Sequence, residues 1–317
     1  MRIYLFILTA IVFSIGLKAQ DSTAVADSVA GQDSTMYHLK KTGEVVLSRQ
    51  ADSIRLPAHE QFKSKVDSLL KAAPETLLVL DSIRNLSVLT NPDSTVRVIT
   101  WLFPFDNGAY KFYGYVKYFN PVDSTWQLNR LNDRHKEIKN PEISGLSTDN
   151  WYGALYYDMI IKEDFITLLG WNGYHNELNQ KVIDILHYNE EGEPFFGKDV
   201  FAGYKDSVKR VILEYSDDVS ITLEHDLILR EVTRPSENAF MDQARTEKMK
   251  QKIIYFNQLD PIQPMFEGDH RYYVPLSEKM HGFYFSNKRW NFIDKLIILS
   301  TKVEEEQGEG SNSGIFD

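Results

Sequence analysis

Hydrophobic positions recur along this chain with two different periods. Phe62, Val66, Leu69, Leu70 and Ala73 follow the three- and four-residue spacing of one helix face. Pro57 and Pro74 bound that helix, because proline lacks an amide donor and crowds the preceding turn. A shorter helix is expected through Val45, Val46, Leu47, Ala51 and Ile54, so 43–75 reads as a helical segment.

Beyond about Leu77 the period falls to two. Val96–Leu102, Tyr110–Tyr118 and Trp126–Leu131 read as strands, and Asp106-Asn107-Gly108 reads as a turn. The stretch Trp151–Gly197 predicts three more strands, near Gly153–Ile161, Phe165–Trp171 and Lys181–Tyr188. Asn172-Gly173 is the expected hairpin turn between the last two. Lys209–Tyr215, Ser220–Leu223 and Leu227–Thr233 continue the pattern, with Glu224-His225-Asp226 as a tight turn. Pro235–Lys252 has a helix-like composition, and Tyr272–Val274, Gly282–Phe285 and Asn291–Leu299 are closing strands. The fold class expected is therefore mainly β: an antiparallel meander, barrel-, sandwich- or propeller-like, with an N-terminal helical segment. The β domain spans 76–303.

The two ends read differently. Met1-Arg2, the apolar run Ile3–Leu17 and Lys18-Ala19-Gln20 have the order of an export signal, 1–20. Periplasmic or extracellular localisation follows, with no membrane span after signal removal. Residues 21–42 are polar and repeat Asp-Ser, and are expected to be a disordered linker. The Gly- and Ser-rich end, 304–317, is expected to be a flexible tail.

Composition removes several chemistries. The chain has no cysteine, which excludes thiol catalysis, disulfides and thiolate metal sites. Its formal charge of -10 argues against nucleic acid, whose phosphates need a basic surface. The eight histidines are scattered and none has the i, i+4 spacing of a helical metal site. No metal or other cofactor is expected. No Gly-x-Ser-x-Gly elbow and no Walker loop is present, so no catalytic residue is assigned. Asp158, Glu163, Asp164, Asp184 and Glu214 lie near strand ends and leave a carboxylate mechanism open.

The aromatic pattern supplies the site expectation. The chain holds 17 Tyr and 18 Phe, and aromatics with amides crowd the stretch around Trp151–Asn176. Exposed tyrosine and tryptophan stack on sugar rings and anchor protein interfaces. Strand alternation places Tyr152 and Tyr156 with Asp158 on a wet face. The candidate binding residues are Tyr152, Tyr156, Trp171, Asn172, Tyr174 and His175. The function expected is an exported, noncatalytic binding or interaction module of the cell envelope, with a protein or glycan partner. The alternative is a glycan-directed hydrolase, and a structural element of an envelope assembly is a third reading.

Four short motifs carry a resemblance: Trp101-Leu-Phe-Pro with Asp106-Asn-Gly-Ala-Tyr-Lys-Phe-Tyr-Gly-Tyr, Leu169-Gly-Trp-Asn-Gly, Lys181-Val-Ile-Asp-Ile-Leu with Pro194-Phe-Phe-Gly, and Arg210-Val-Ile-Leu-Glu-Tyr. Over roughly 95 to 295 the chain resembles a group of uncharacterised exported proteins of Bacteroidota. The resemblance implies export and a shared β fold, and it implies no catalytic residue.

Overall fold

The computed structural model describes residues 22–71, 80, 83, 86–120, 122–175, 177–234 and 245–301. The expected leader and tail, and residues 235–244 of the helix-like stretch, lie outside the described residues.

Helix α1 (Ser22–Val46) runs through the stretch expected to be a disordered linker, and ends where the short helix through Val45–Ile54 was expected. Its apolar stripe is one residue wide: Met36, Leu39, Gly43 and Val46, of which the last three are buried. A polar composition hides such a stripe, since each turn contributes a single inward residue. Helix α2 (Asp52–Lys71) contains Pro57 instead of starting after it. Arg55 ties this early part of the helix down, pairing with Asp52 and, at 2.8 Å, with Asp106 of a distant turn. The inward face of α2 is Arg55, His59, Phe62, Val66 and Leu70. These residues pack on Ile99, Trp101 and Tyr115 of the first sheet, where Trp101 Nε1 donates to His59 Nε2 at 3.1 Å.

That sheet is β1 (Leu86–Thr90), β2 (Val96–Pro104), β3 (Tyr110–Asn120) and β4 (Thr125–Asn132), antiparallel and in chain order. Its β2–β3 turn is the expected Asp106-Asn107-Gly108, with Gly108 at a φ of 77° that favours glycine. The second sheet holds β5 (Leu146–Ser147), β6 (Leu155–Ile161), β7 (Ile166–His175), β8 (Leu178–Tyr188) and β9 (Pro194–Phe196), in the order β5-β9-β8-β7-β6. The short β10 (Phe201–Ala202) crosses to the third sheet, and β11 (Val211–Ser216) returns to pair with β8. Strands β12 (Leu223–Arg234), β13 (Arg245–Pro261), β14 (Tyr273–Ser286), β15 (Arg289–Leu296) and β16 (Ile298–Ser300) complete the third sheet, ordered β10-β15-β14-β13-β12-β16. Among the described residues the named strands pair antiparallel apart from the two-residue β10–β15 contact, and an isolated parallel bridge joins Asp133 to Trp151. None of the sheets closes into a barrel, and the arrangement is sandwich-like.

The layers stack as helices, first sheet, second sheet, third sheet. Val98, Phe112 and Val116 of the first sheet meet Tyr156, Leu168, Val182 and Leu186 of the second. On the other face of the second sheet, Leu169, Ile183 and Ile185 meet Ile254, Phe283 and Trp290 of the third. Both faces of the middle sheet are thus covered where β7 and the second half of β8 run, so those stretches carry near-continuous apolar runs instead of strict alternation. One charged pair is enclosed there. Arg210 Nε lies 2.9 Å from Asp184 Oδ1 and both side chains are fully buried. That contact lacks hydrogen-bond alignment. The pair is held by neighbours: Tyr156 Oη donates to Asp184 Oδ2 at 2.9 Å and Arg210 Nη1 to the Pro141 carbonyl at 2.7 Å.

Three local expectations are corrected. Asn172-Gly173 is no turn: β7 continues through it to His175. Gly173 serves a close approach, since a Cβ there would lie 2.6 Å from the rings of Trp171 and Tyr110. Glu224-His225-Asp226 is likewise inside β12, where each residue pairs with β13. Three consecutive polar residues suit a strand whose long hairpin leaves Glu224 and Asp226 exposed. Arg245–Lys252, read as helix-like, is the first half of β13. The cross-strand register with β12 over twelve residue pairs overrides its weak helical propensity.

Candidate functional site

A cavity of about 730 Å³ opens between the second and third sheets. Its walls come from β8 and β11, from β13 and β14, and from the segments around Asn140–Ile143 and Tyr204-Lys205. The volume is within the usual range for a small-molecule site.

The register of two strands builds its polar centre. Glu214 on β11 is paired directly with Gln180 on β8, so the two side chains stand side by side. Gln180 Nε2 donates to Glu214 Oε1 at 2.8 Å, and Gln180 Oε1 accepts from Tyr152 Oη at 2.8 Å. The other carboxylate oxygen of Glu214 accepts from His270 Nδ1. The result is a chain, Tyr152–Gln180–Glu214–His270, running from the dry interior to the cavity. Tyr152 and Gln180 are buried, whereas the Glu214 and His270 side chains are 30% and 41% exposed. His270 sits on a single 3-10 turn, His270–Tyr272, fixed by Arg271. Arg271 pairs with Asp269 at 2.7 Å and with Glu177 of the β7–β8 connection at 3.0 Å.

These contacts set the charges. The hydrogen bond from His270 is the main reason the Glu214 carboxyl is held below its ordinary range, and Gln180 adds to it. The same bond raises the His270 imidazole, against an opposing effect of burial. Burial keeps the Tyr152 phenol neutral, well above its usual range. Across the cavity Lys205 Nζ pairs with Glu142 Oε1 at 3.0 Å. Burial works against that ammonium, but Tyr204 and Glu142 outweigh it and the Lys205 pKa is raised.

The residues expected to form the site separate. Tyr152 and Tyr174 line the cavity together. Tyr156 does not. It is fully buried between the first two sheets, accepting from Trp151 Nε1 at 3.0 Å while donating to Asp184. The wet face expected for Tyr152 and Tyr156 is therefore dry at both positions. Strand alternation fails there because Gly153 is left-handed at φ 77° and the β6–β7 register shifts between Tyr156 and Asp158. Trp171 is half-buried against Tyr110, at 5.2 Å between ring centroids. Asn172 is buried and its Nδ2 donates to the Gly153 carbonyl at 2.7 Å. His175 Nδ1 accepts from the Glu177 amide at 3.2 Å, closing a turn. Of the strand-end acids, Glu214 reaches the cavity and Asp184 is in the core. His270, Lys205, Glu142 and Gln180 were not singled out in the sequence, because three separate connections and strand β8 bring them together.

Among the described residues no group of histidine, aspartate or glutamate is arranged to hold a metal ion. No helix of the described residues is long and apolar enough to cross a membrane. No protein-family model matches the chain, and no curated protein matches it.

Proposed function

We propose that the chain is an exported, noncatalytic binding module of the cell envelope, and that its ligand is a glycan taken into the cavity between the second and third sheets. The observation that carries this reading is the composition of that wall. Tyr174, Tyr204 and Tyr273 line it beside the fixed polar groups of Glu214 and His270, with the buried Tyr152 behind them, bonded to Gln180. Ring faces stack on the carbon faces of sugars, and preset polar groups bind hydroxyls at little ordering cost. A concave, pre-formed site favours a small ligand over a protein surface, which needs about 800 Å² on each partner. Export rests on the leader-like order of Met1–Gln20. The overall acidity argues against nucleic acid as the partner.

Calorimetric titration of the protein with a panel of mono- and disaccharides tests the reading. Binding is expected for at least one sugar, and Tyr174→Ala is expected to weaken it about tenfold or more. A panel that yields no binding defeats the proposal. One observation favours the hydrolase alternative: Glu142 and Glu214 line the same cavity. Each, however, is held by a cation, which suits an ionised anchor better than a proton donor. Release of sugar from a polysaccharide, lost in both Glu142→Gln and Glu214→Gln, would move the reading to the enzyme.

A further inference from the structure

Among the described residues every acid, lysine and histidine of the cavity wall has a partner within the protein. Lys205 pairs with Glu142 at 3.0 Å, and His270 pairs with Glu214. His135 Nδ1 lies 2.6 Å from Asp133 Oδ1, and both side chains are buried. His281 Nδ1 lies 2.5 Å from the Asp294 carbonyl oxygen. Among the described residues the wall contains no arginine and no aspartate of its own. Its two anions and two principal cations therefore cancel inside the site.

A charged ligand entering such a cavity gives up its hydration and finds no unpaired counter-charge. To gain one it must compete with a pair already made, and at these part-exposed positions the exchange returns little net attraction against the hydration it loses. An uncharged ligand rich in hydroxyls meets no such penalty. It can accept from the remaining ammonium hydrogens of Lys205 and donate to the free lone pairs of Glu142 and Glu214 without separating either pair. Resting on the glycan reading above, we infer that the cavity selects an uncharged saccharide and rejects its acidic and basic counterparts, with the Glu142–Lys205 and Glu214–His270 pairs as the discriminating groups. The selectivity is a property of the pairing: removing one member leaves a lone charge that invites the opposite one.

The experiment titrates the full chain with three matched classes of sugar. Neutral probes are glucose, galactose, mannose and their disaccharides; acidic probes are glucuronate and galacturonate; the basic probe is glucosamine. The wild-type protein is expected to bind a neutral sugar at least tenfold more tightly than any charged one. Glu142→Gln, which leaves Lys205 unpaired, is expected to narrow the gap to the matching uronate at least tenfold. Lys205→Met is expected to do the same for glucosamine. Both sites are partly exposed, so the variants should fold, and thermal melting verifies it. A wild-type protein that prefers a uronate or glucosamine overturns the selectivity while leaving the glycan reading intact. Unchanged gaps in both folded variants also overturn it. Binding of no sugar of any class defeats the glycan reading, and the selectivity falls with it.

Discussion

Asp184 and Arg210 face each other at 2.9 Å in the interior of the stacked sheets, and neither side chain reaches solvent. They are 26 positions apart in sequence and belong to β8 and the approach to β11. Removing one partner leaves the other charged, buried and uncompensated. Asp184→Ala and Arg210→Ala are each expected to cost about 3–5 kcal/mol. Replacing both with apolar residues of similar size should cost less than the sum. Urea unfolding of the two single variants and the double variant measures this, and additive losses would refute the coupling.

Gly173→Ala tests whether glycine is needed for a turn or for an approach. A methyl group there must push into the ring atoms of Trp171 and Tyr110. A loss of about 1–3 kcal/mol is expected, with the melting temperature lowered accordingly. Trimming Tyr110 to leucine in the same chain should recover part of it. A neutral Gly173→Ala would return this position to the class of ordinary strand residues.

Acid should act on the fold through two histidines. Burial pushes His59 and His225 down to about 4. In the unfolded chain each takes its proton near 6.5, while the folded chain resists until about 4. The unfolded state thus binds more protons in that window, and stability falls as the pH drops through it. Denaturation between pH 7 and 4 should show a slope that lessens in His59→Gln, if that variant still accepts from Trp101.

The Glu214–His270 pair has the opposite profile on its basic side. His270 is raised, so its contribution is present below the unfolded value near 6.5 and lost as pH rises through the folded one. Glu214 is lowered, so its contribution is present above about 4.5 and lost as pH falls through its folded value. The pair is complete between those limits. An NMR titration of His270 should place its midpoint above 6.5 in the wild type and move it down in Glu214→Gln. A midpoint indifferent to Glu214→Gln would sever the proposed link.

Much of the architecture was legible in the residues, and the reasons are local. Val96–Leu102 and Asp106-Asn107-Gly108 became strand and turn because propensity and turn chemistry agreed there. The expectation failed where a long-range partner outweighed local preference, as in Asn172-Gly173 and Glu224–Asp226. The site was half legible. Tyr152 and Tyr174 stood out because aromatics cluster near them in sequence. Glu214 was only one of five strand-end acids, and Gln180 and His270 could not stand out, since only strand register and a distant 3-10 turn bring the three within reach. Tyr156 misled for the complementary reason: a bulge, invisible in alternation, turned it inward.

The middle sheet has a consequence for how this molecule can be divided. Its strand β8 is flanked by β7 on one edge and by β11 and β9 in succession on the other. Leu168 looks one way and Leu169 the other, each into a different core. A fragment ending after β9 would lose the β11 partner of β8 and the whole cover over Leu169, Ile183 and Ile185. A fragment starting at β5 would bare Leu168, Val182 and Leu186 instead. The protein therefore has no seam at which a knife between its sheets would leave two soluble pieces.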